Sequence, residues 1–178
     1  MEFLPQNING VSLQKLTKRE DDRGYFARSF CEVEFQRAGH PFNVHQTNIS
    51  FTKEKGALRG LHFQREPTPD PKIIRCLTGK IYDVVVDLRP ESDSYLTWIG
   101  VELNEGNDLS LIIPGGCAHG FLTLSENSTL LYMMGGPYVP ELASGVRWND
   151  PAFGVEWPQT PTHMNDRDAN YLDYVVVA

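Results

Sequence analysis

Residues Arg59-Gly60-Leu61-His62-Phe63-Gln64 place a histidine among groups suited to acid–base work. Histidine is the side chain whose unperturbed pKa lies near neutrality, so it takes up and returns a proton at little cost. Gln46, Asn48 and Arg59 lie close by in sequence. They can hold an anion and stabilise a negative charge as it develops. A second island, Pro114-Gly115-Gly116-Cys117-Ala118-His119-Gly120-Phe121, carries His119 on what reads as a tight turn. Taken singly, His62 reads as an ordinary structural residue. The company His62 keeps makes it the candidate base.

These residues need elements to position them. The chain is punctuated by 15 Gly and 12 Pro. Between the breaks lie β-branched, partly alternating runs at 80–89, 95–103, 109–113, 120–124 and 128–133, which recur at roughly 8–12 residues. That pattern predicts an all-β fold, a jelly-roll of two antiparallel sheets able to enclose a ligand at its mouth. Only 32–38 reads as a helix, with Gly39 as its stop. Residues 66–71 form a proline-stiffened loop that delivers Lys72 to the next strand. The pair Asp87 and Arg89 reads as structural, at the end of a buried strand. From Ala152 the chain reads as an irregular tail, 152–178, folded over the body. Arg59 and His62 are three positions apart and face opposite sides of a regular strand. A bulge at Gly60 is therefore expected, to bring both to one side.

A length of 178 residues fits a single domain, 1–178, with a proper core. A net charge of −7, with no Lys/Arg run, argues against nucleic acid as a partner. The three cysteines are odd in number and form no CxxC, which predicts reduced thiols in the cytoplasm rather than a disulfide framework or a zinc knuckle. The N-terminus lacks the basic and apolar regions of a signal peptide. No apolar run approaches the about 20 residues of a membrane span.

Several motifs in order resemble the dTDP-4-dehydrorhamnose 3,5-epimerase family of cupin-like sugar epimerases. They are Asp22-Arg23-Gly24-Tyr25-Phe26, Gln46-Thr47-Asn48, Leu58-Arg59-Gly60-Leu61-His62-Phe63-Gln64, the run 80–89, Gly116-Cys117-Ala118-His119-Gly120-Phe121 and Gly145-Val146-Arg147-Trp148-Asn149-Asp150-Pro151. The resemblance implies a cupin-type jelly-roll homodimer whose N-terminal strands cross to the partner's sheet. It implies a metal-free, cofactor-free reaction on a nucleotide-diphosphate 4-keto-6-deoxy sugar, inverting C3, C5 or both. Carried over by position, His62 is the base and Asp168 its carboxylate partner, with Asp166 as fallback in the charged run Asp166-Arg167-Asp168. Tyr132 is the acid on the opposite face. Lys72 lies near the keto oxygen. Arg23, Gln46, Asn48, Arg59 and His119 hold sugar and diphosphate, and Tyr138 stacks at the nucleotide or sugar.

Three positions depart from that family. Arg28 stands where glutamate is frequent, Met133-Met134-Gly135-Gly136-Pro137 replaces a polar stretch, and Ala143 replaces an acidic residue. Read as pocket residues, they make it more positive, which predicts a sugar or nucleotide other than dTDP-4-keto-6-deoxyglucose. The alternatives are a 3- or 5-monoepimerase, a ketoisomerase with a different histidine arrangement, a metal-dependent cupin, and a non-catalytic sugar-binding module. The Pro-x-Gly-x-x-His spacing around His119 matches the second metal motif of cupins, but His62 stands between Leu61 and Phe63 without the His-x-His that a metal site needs.

Overall fold

Alternation builds the core. In the strand Lys80–Asp87, Ile81 and Val85 pack into the cluster between the two sheets, while Tyr82, Val84 and Val86 pack on the outer side. The computed structural model describes residues 1–176; Val177 and Ala178, the end of the expected tail, lie outside the described residues.

The strands are β1 (Glu2–Pro5), β2 (Ser12–Lys15), β3 (Lys18–Asp21), β4 (Gly24–Ala27), β5 (Gln46–Thr52), β6 (Leu58–Gln64) and β7 (Lys72–Thr78). They continue with β8 (Lys80–Asp87), β9 (Trp98–Asn104), β10 (Leu109–Ile113), β11 (Cys117–Thr123), β12 (Ser128–Met134) and β13 (Ala143–Gly145). The described residues include two short helices, α1 (Glu32–Arg37) and α2 (Asp166–Ala169). A six-stranded antiparallel sheet runs β1-β2-β10-β7-β12-β5, and a five-stranded one β13-β6-β11-β8-β9. The fold is the expected cupin-like jelly-roll. Ile74, Leu111, Leu130, Ile81, Val85 and Phe121 fill the space between the sheets. The tail covers the outer face of the five-stranded sheet with Phe153, Trp157 and Tyr174. Helix α1 covers part of the other outer face through Phe35.

Some expected elements shift. The run 95–103 becomes a strand only from Trp98, because Ser92–Thr97 turns, with Tyr95 N–H donating to Ser92 O and Leu96 at φ 64°. The strand expected over 120–124 starts at Cys117, directly after Gly116 (φ 82°). His119 is therefore mid-strand rather than on the turn. The tail contains α2, which Asn165 caps by accepting from Asp168 N–H at 2.7 Å. Within this chain β1 and β2 extend its own sheet beside β10, and the hairpin β3–β4 projects.

Asp87 ends β8 and is fully buried. It accepts from Arg89 Nε and Nη2, both at 2.7 Å, and from the hydroxyls of Ser92 (2.6 Å) and Ser94 (2.7 Å). Burial works against its charge, but these donors outweigh it and push the carboxyl down to about 2. A carboxyl depressed on folding stabilises the fold above its unfolded pKa of about 4, and that stability is lost as pH falls through about 2. Asp87→Asn should therefore cost about 2 kcal/mol at neutral pH, with the deficit shrinking toward pH 2. Denaturant melts of both proteins across that window measure it.

Candidate active site

A cavity of about 350 Å³ lies between the two sheets. The six-stranded sheet lines it with Gln46, Asn48 and Ser50 of β5, Lys72 of β7, and Tyr132 and Met134 of β12. The five-stranded sheet supplies Arg59, His62 and Gln64 of β6 and His119 of β11. Asp70, Gly136, Pro137 and Tyr138 form the rim, with Asn165 and Asp168 reaching in from the tail. His62 and Tyr132 thus stand on opposite walls.

The register of β6 explains how Arg59 and His62 share one cavity. His62 lies opposite His119 and Arg59 opposite Phe121, so Gly60 and Leu61 together face Gly120 alone. The extra residue is the expected bulge. Glycine is required there: φ is 127°, and a Cβ on Gly60 would lie 2.5 Å from Gly120 Cα.

His62 Nε2–H donates to Asp168 Oδ1 at 2.7 Å, which leaves Nδ1 as the lone-pair nitrogen. Asp168 is fully buried, and its Oδ2 accepts from Gly60 N–H at 3.0 Å. The same carboxylate thereby ties down the ring and the bulge that presents it. Burial opposes the charge on Asp168, yet the hydrogen bonds from His62 and Gly60 prevail and hold the carboxyl below its ordinary range. The fallback, Asp166, is exposed.

Tyr132 is half-buried, with Asn48 and Ile74 as its ladder neighbours. Its ring meets His119 edge-on, centroids 5.9 Å apart. Burial, reinforced by the Asp83 carboxylate and opposed by Arg59, pushes the phenol above its ordinary pKa, so it carries its proton at neutral pH. Lys72 is 3% exposed and pairs with Asp70 Oδ2 at 2.8 Å. His119 Nε2–H donates to the buried Asp83 at 2.6 Å, a second His–Asp pair on the floor. Arg59 donates to Thr52 Oγ at 3.0 Å and to Phe51 O at 3.3 Å. Tyr138 stands at the rim, 62% exposed.

Of the sequence-derived candidates, His62, Tyr132, Asp168, Gln46, Asn48, Arg59, Lys72, His119 and Tyr138 come together in this cavity. Arg23 and Arg28 do not. Arg23 sits between β3 and β4 and pairs with Asp21 at 2.5 Å. Arg28 pairs with Glu34 of α1 at 2.6 Å and lines a separate 200 Å³ cleft with Met1 and Phe26. Ala143 lies in β13 beside Gln64, outside the cavity lining. Of the three family departures only the stretch 133–137 reaches the cavity, through Met134, Gly136 and Pro137. The extra arginine at 28 and the missing acid at 143 thus lie outside this chain's own cavity lining. Asp83, Asp70 and Asn165 were missed as partners of His119, Lys72 and Asp168. Only Asn165 carried a local signal, an N-cap residue before an acidic turn.

Among the described residues no three His, Cys, Asp or Glu side chains gather as a metal-ligand set. Among the described residues no helix is long and apolar enough to cross a membrane.

A sequence profile described as dTDP-4-dehydrorhamnose 3,5-epimerase matches residues 5–174. An Escherichia coli (strain K12) dTDP-4-dehydrorhamnose 3,5-epimerase is 44% identical over 161 residues, covering 90% of this chain and 86% of the relative. The crystal structure of the enzyme of that name from Elizabethkingia anophelis NUHP1 superposes with a TM-score of 0.94 at 32% identity, covering 98% of this chain and 96% of the other. The Bacillus anthracis str. Ames enzyme of the same name, with TDP and PPi bound, gives 0.91 at 35% identity, covering 96% and 99%. With the cavity, its paired histidines and these likenesses agreeing, the chain belongs to the dTDP-4-dehydrorhamnose 3,5-epimerase family of carbohydrate epimerases.

Proposed function

We propose that this isomerase inverts C3, C5 or both of a dTDP-linked 4-keto-6-deoxy hexose. The observation that carries the reading is a histidine–carboxylate pair and a protonated tyrosine on opposite walls of one cavity. A C4 ketone acidifies the hydrogens on C3 and C5, because the carbanion delocalises into an enolate. His62 Nδ1 takes the proton from one face, and Asp168 stabilises the imidazolium that forms. The enolate charge settles on O4, and Lys72, the lysine of the cavity lining, is the cation to hold it. Tyr132 returns a proton to the other face, and the centre inverts. Net, one C–H bond breaks and another forms, with no change in oxidation state.

Arg59 supplies the cationic side chain for the diphosphate. The TDP bound by the Bacillus anthracis relative supports a thymidine nucleotide. A ketoisomerase shares the first deprotonation but returns the proton to C4 rather than to the carbon that lost it. A binding module needs neither proton carrier. Three free cysteines fit a reducing, cytoplasmic setting.

The reading includes a homodimer. Strand β5 is a sheet edge, and Ile49 (62%) and Phe51 (55%) on it, with Leu77 (40%) on β7, are exposed apolar residues. The projecting hairpin β3–β4 exposes Tyr25 and Phe26. Pairing two copies would cover these surfaces, and light scattering should give twice the 20.1 kDa chain mass; a clean monomer contradicts it.

The test is NMR in deuterated water on dTDP-, GDP- and CDP-linked 4-keto sugars, with elemental analysis of the same sample. Deuterium at C3 or C5 of the dTDP sugar, with inversion, is expected. No uptake with any sugar refutes the reaction, and stoichiometric iron, manganese or zinc supports the metal-dependent alternative.

A further inference from the structure

We propose that Gln64, the last residue of β6, is a positioning residue that sets the nucleotide end of the cavity by holding Tyr138 in place; the proposal rests on the nucleotide-sugar reading above. Gln64 is 2% exposed and its side-chain amide is fully engaged. Nε2–H donates to Thr68 O and, at 3.0 Å, to Pro137 O, while Oε1 accepts from Val139 N–H at 2.8 Å. Pro137 and Val139 flank Tyr138. That ring is 62% exposed, so its placement depends on the backbone on either side, and Gln64 grips both sides.

The same residue reaches the adjoining rim loop. Thr68 belongs to the loop 66–71, and Gln64 N–H donates at 2.9 Å to Asp70, the carboxylate that pairs with Lys72. The two loops also touch directly, with Gly135 N–H donating to Pro71 O at 2.7 Å. A Cβ on Gly135 would lie 2.8 Å from Pro71 Cγ, and one on Gly136 3.0 Å from Pro69 O. No side chain fits between these loops, so the amide beneath them joins them. The chemistry selects glutamine. Two carbonyls need donors and one N–H needs an acceptor, and a single planar amide supplies both. An ionised glutamate faces those carbonyls with acceptors only, and methionine offers neither group.

Gln64→Glu and Gln64→Met, made in the full chain, test this against dTDP affinity by calorimetry, steady-state kinetics and the melting temperature. Loss of this grip should weaken dTDP binding and raise KM by about tenfold, while kcat falls less than about twofold. Tyr138→Ala, a change at an exposed ring, should weaken dTDP binding similarly. In the Tyr138→Ala background, Gln64→Glu should add less than about twofold, because the group it positions is gone. A folded Gln64 variant with a lower melting temperature but wild-type Kd and KM overturns the proposal. So do an unchanged dTDP affinity in Tyr138→Ala and effects of the two changes that multiply in full. The titration requires no turnover. A wild type that binds dTDP yet leaves every 4-keto sugar unlabelled refutes the reaction while Gln64 can still be judged; a wild type that does not bind dTDP overturns both.

Discussion

Replacing His62 with asparagine should abolish solvent deuterium uptake into the 4-keto sugar, a loss of at least about 10³-fold in kcat. No second base stands ready. Asp168 is buried behind the ring, His119 is committed to Asp83, and Lys72 is held by Asp70. The dTDP affinity should hold, because Arg59 and Tyr138 are untouched. The fold should persist at some cost. Asp168 keeps the bond from Gly60 N–H but loses the ring that offset its burial, a penalty of about 1–3 kcal/mol. Calorimetric dTDP titration and a thermal melt run beside the NMR assay separate these effects. Loss of dTDP binding with the exchange would assign His62 to binding instead.

Tyr132→Phe should lower the rate of inversion by about 10²–10⁴-fold, the range for one positioned acid. It removes one hydroxyl from a residue on the wall facing His62, and the ring's edge contact with His119 remains available to phenylalanine. Stability should change little, since Tyr132 Oη is not among the buried unpaired polar atoms of the described residues and phenylalanine keeps the ring. Inversion by polarimetry or NMR, read beside dTDP affinity, checks it; inversion within tenfold of wild type would remove Tyr132 from the acid role.

The sequence made the jelly-roll legible because its strands carry their own punctuation. The β8 run alternates and is preceded by Gly79, and β10 and β12 are bounded by turn residues. The Gly60 bulge was legible for a different reason: Arg59 and His62 cannot share a cavity without a change of phase. What stayed hidden depended on contacts distant in sequence. Asp83 meets His119 across 36 positions, and Asp168 meets His62 across 106. No local pattern records such a meeting, and Asp168 was reached only through family resemblance. The N-terminal strands β1–β4 are only four residues each, too short for a period to emerge. Arg28 and Ala143, read as pocket positions from the sequence, lie outside the cavity lining of their own chain. Arg28 follows β4 and turns toward Glu34, away from the cavity.

The central claim is that two different groups serve two faces of one carbon. Following exchange and inversion together in deuterated water, with wild type and Tyr132→Phe on the same dTDP-linked 4-keto sugar, tests it most directly. Wild type should label and invert at matched rates. Tyr132→Phe should keep labelling the sugar with its configuration retained, because His62 still removes a proton and returns a deuteron to the face it came from. Exchange and inversion falling together by the same factor in Tyr132→Phe would contradict the two-wall account.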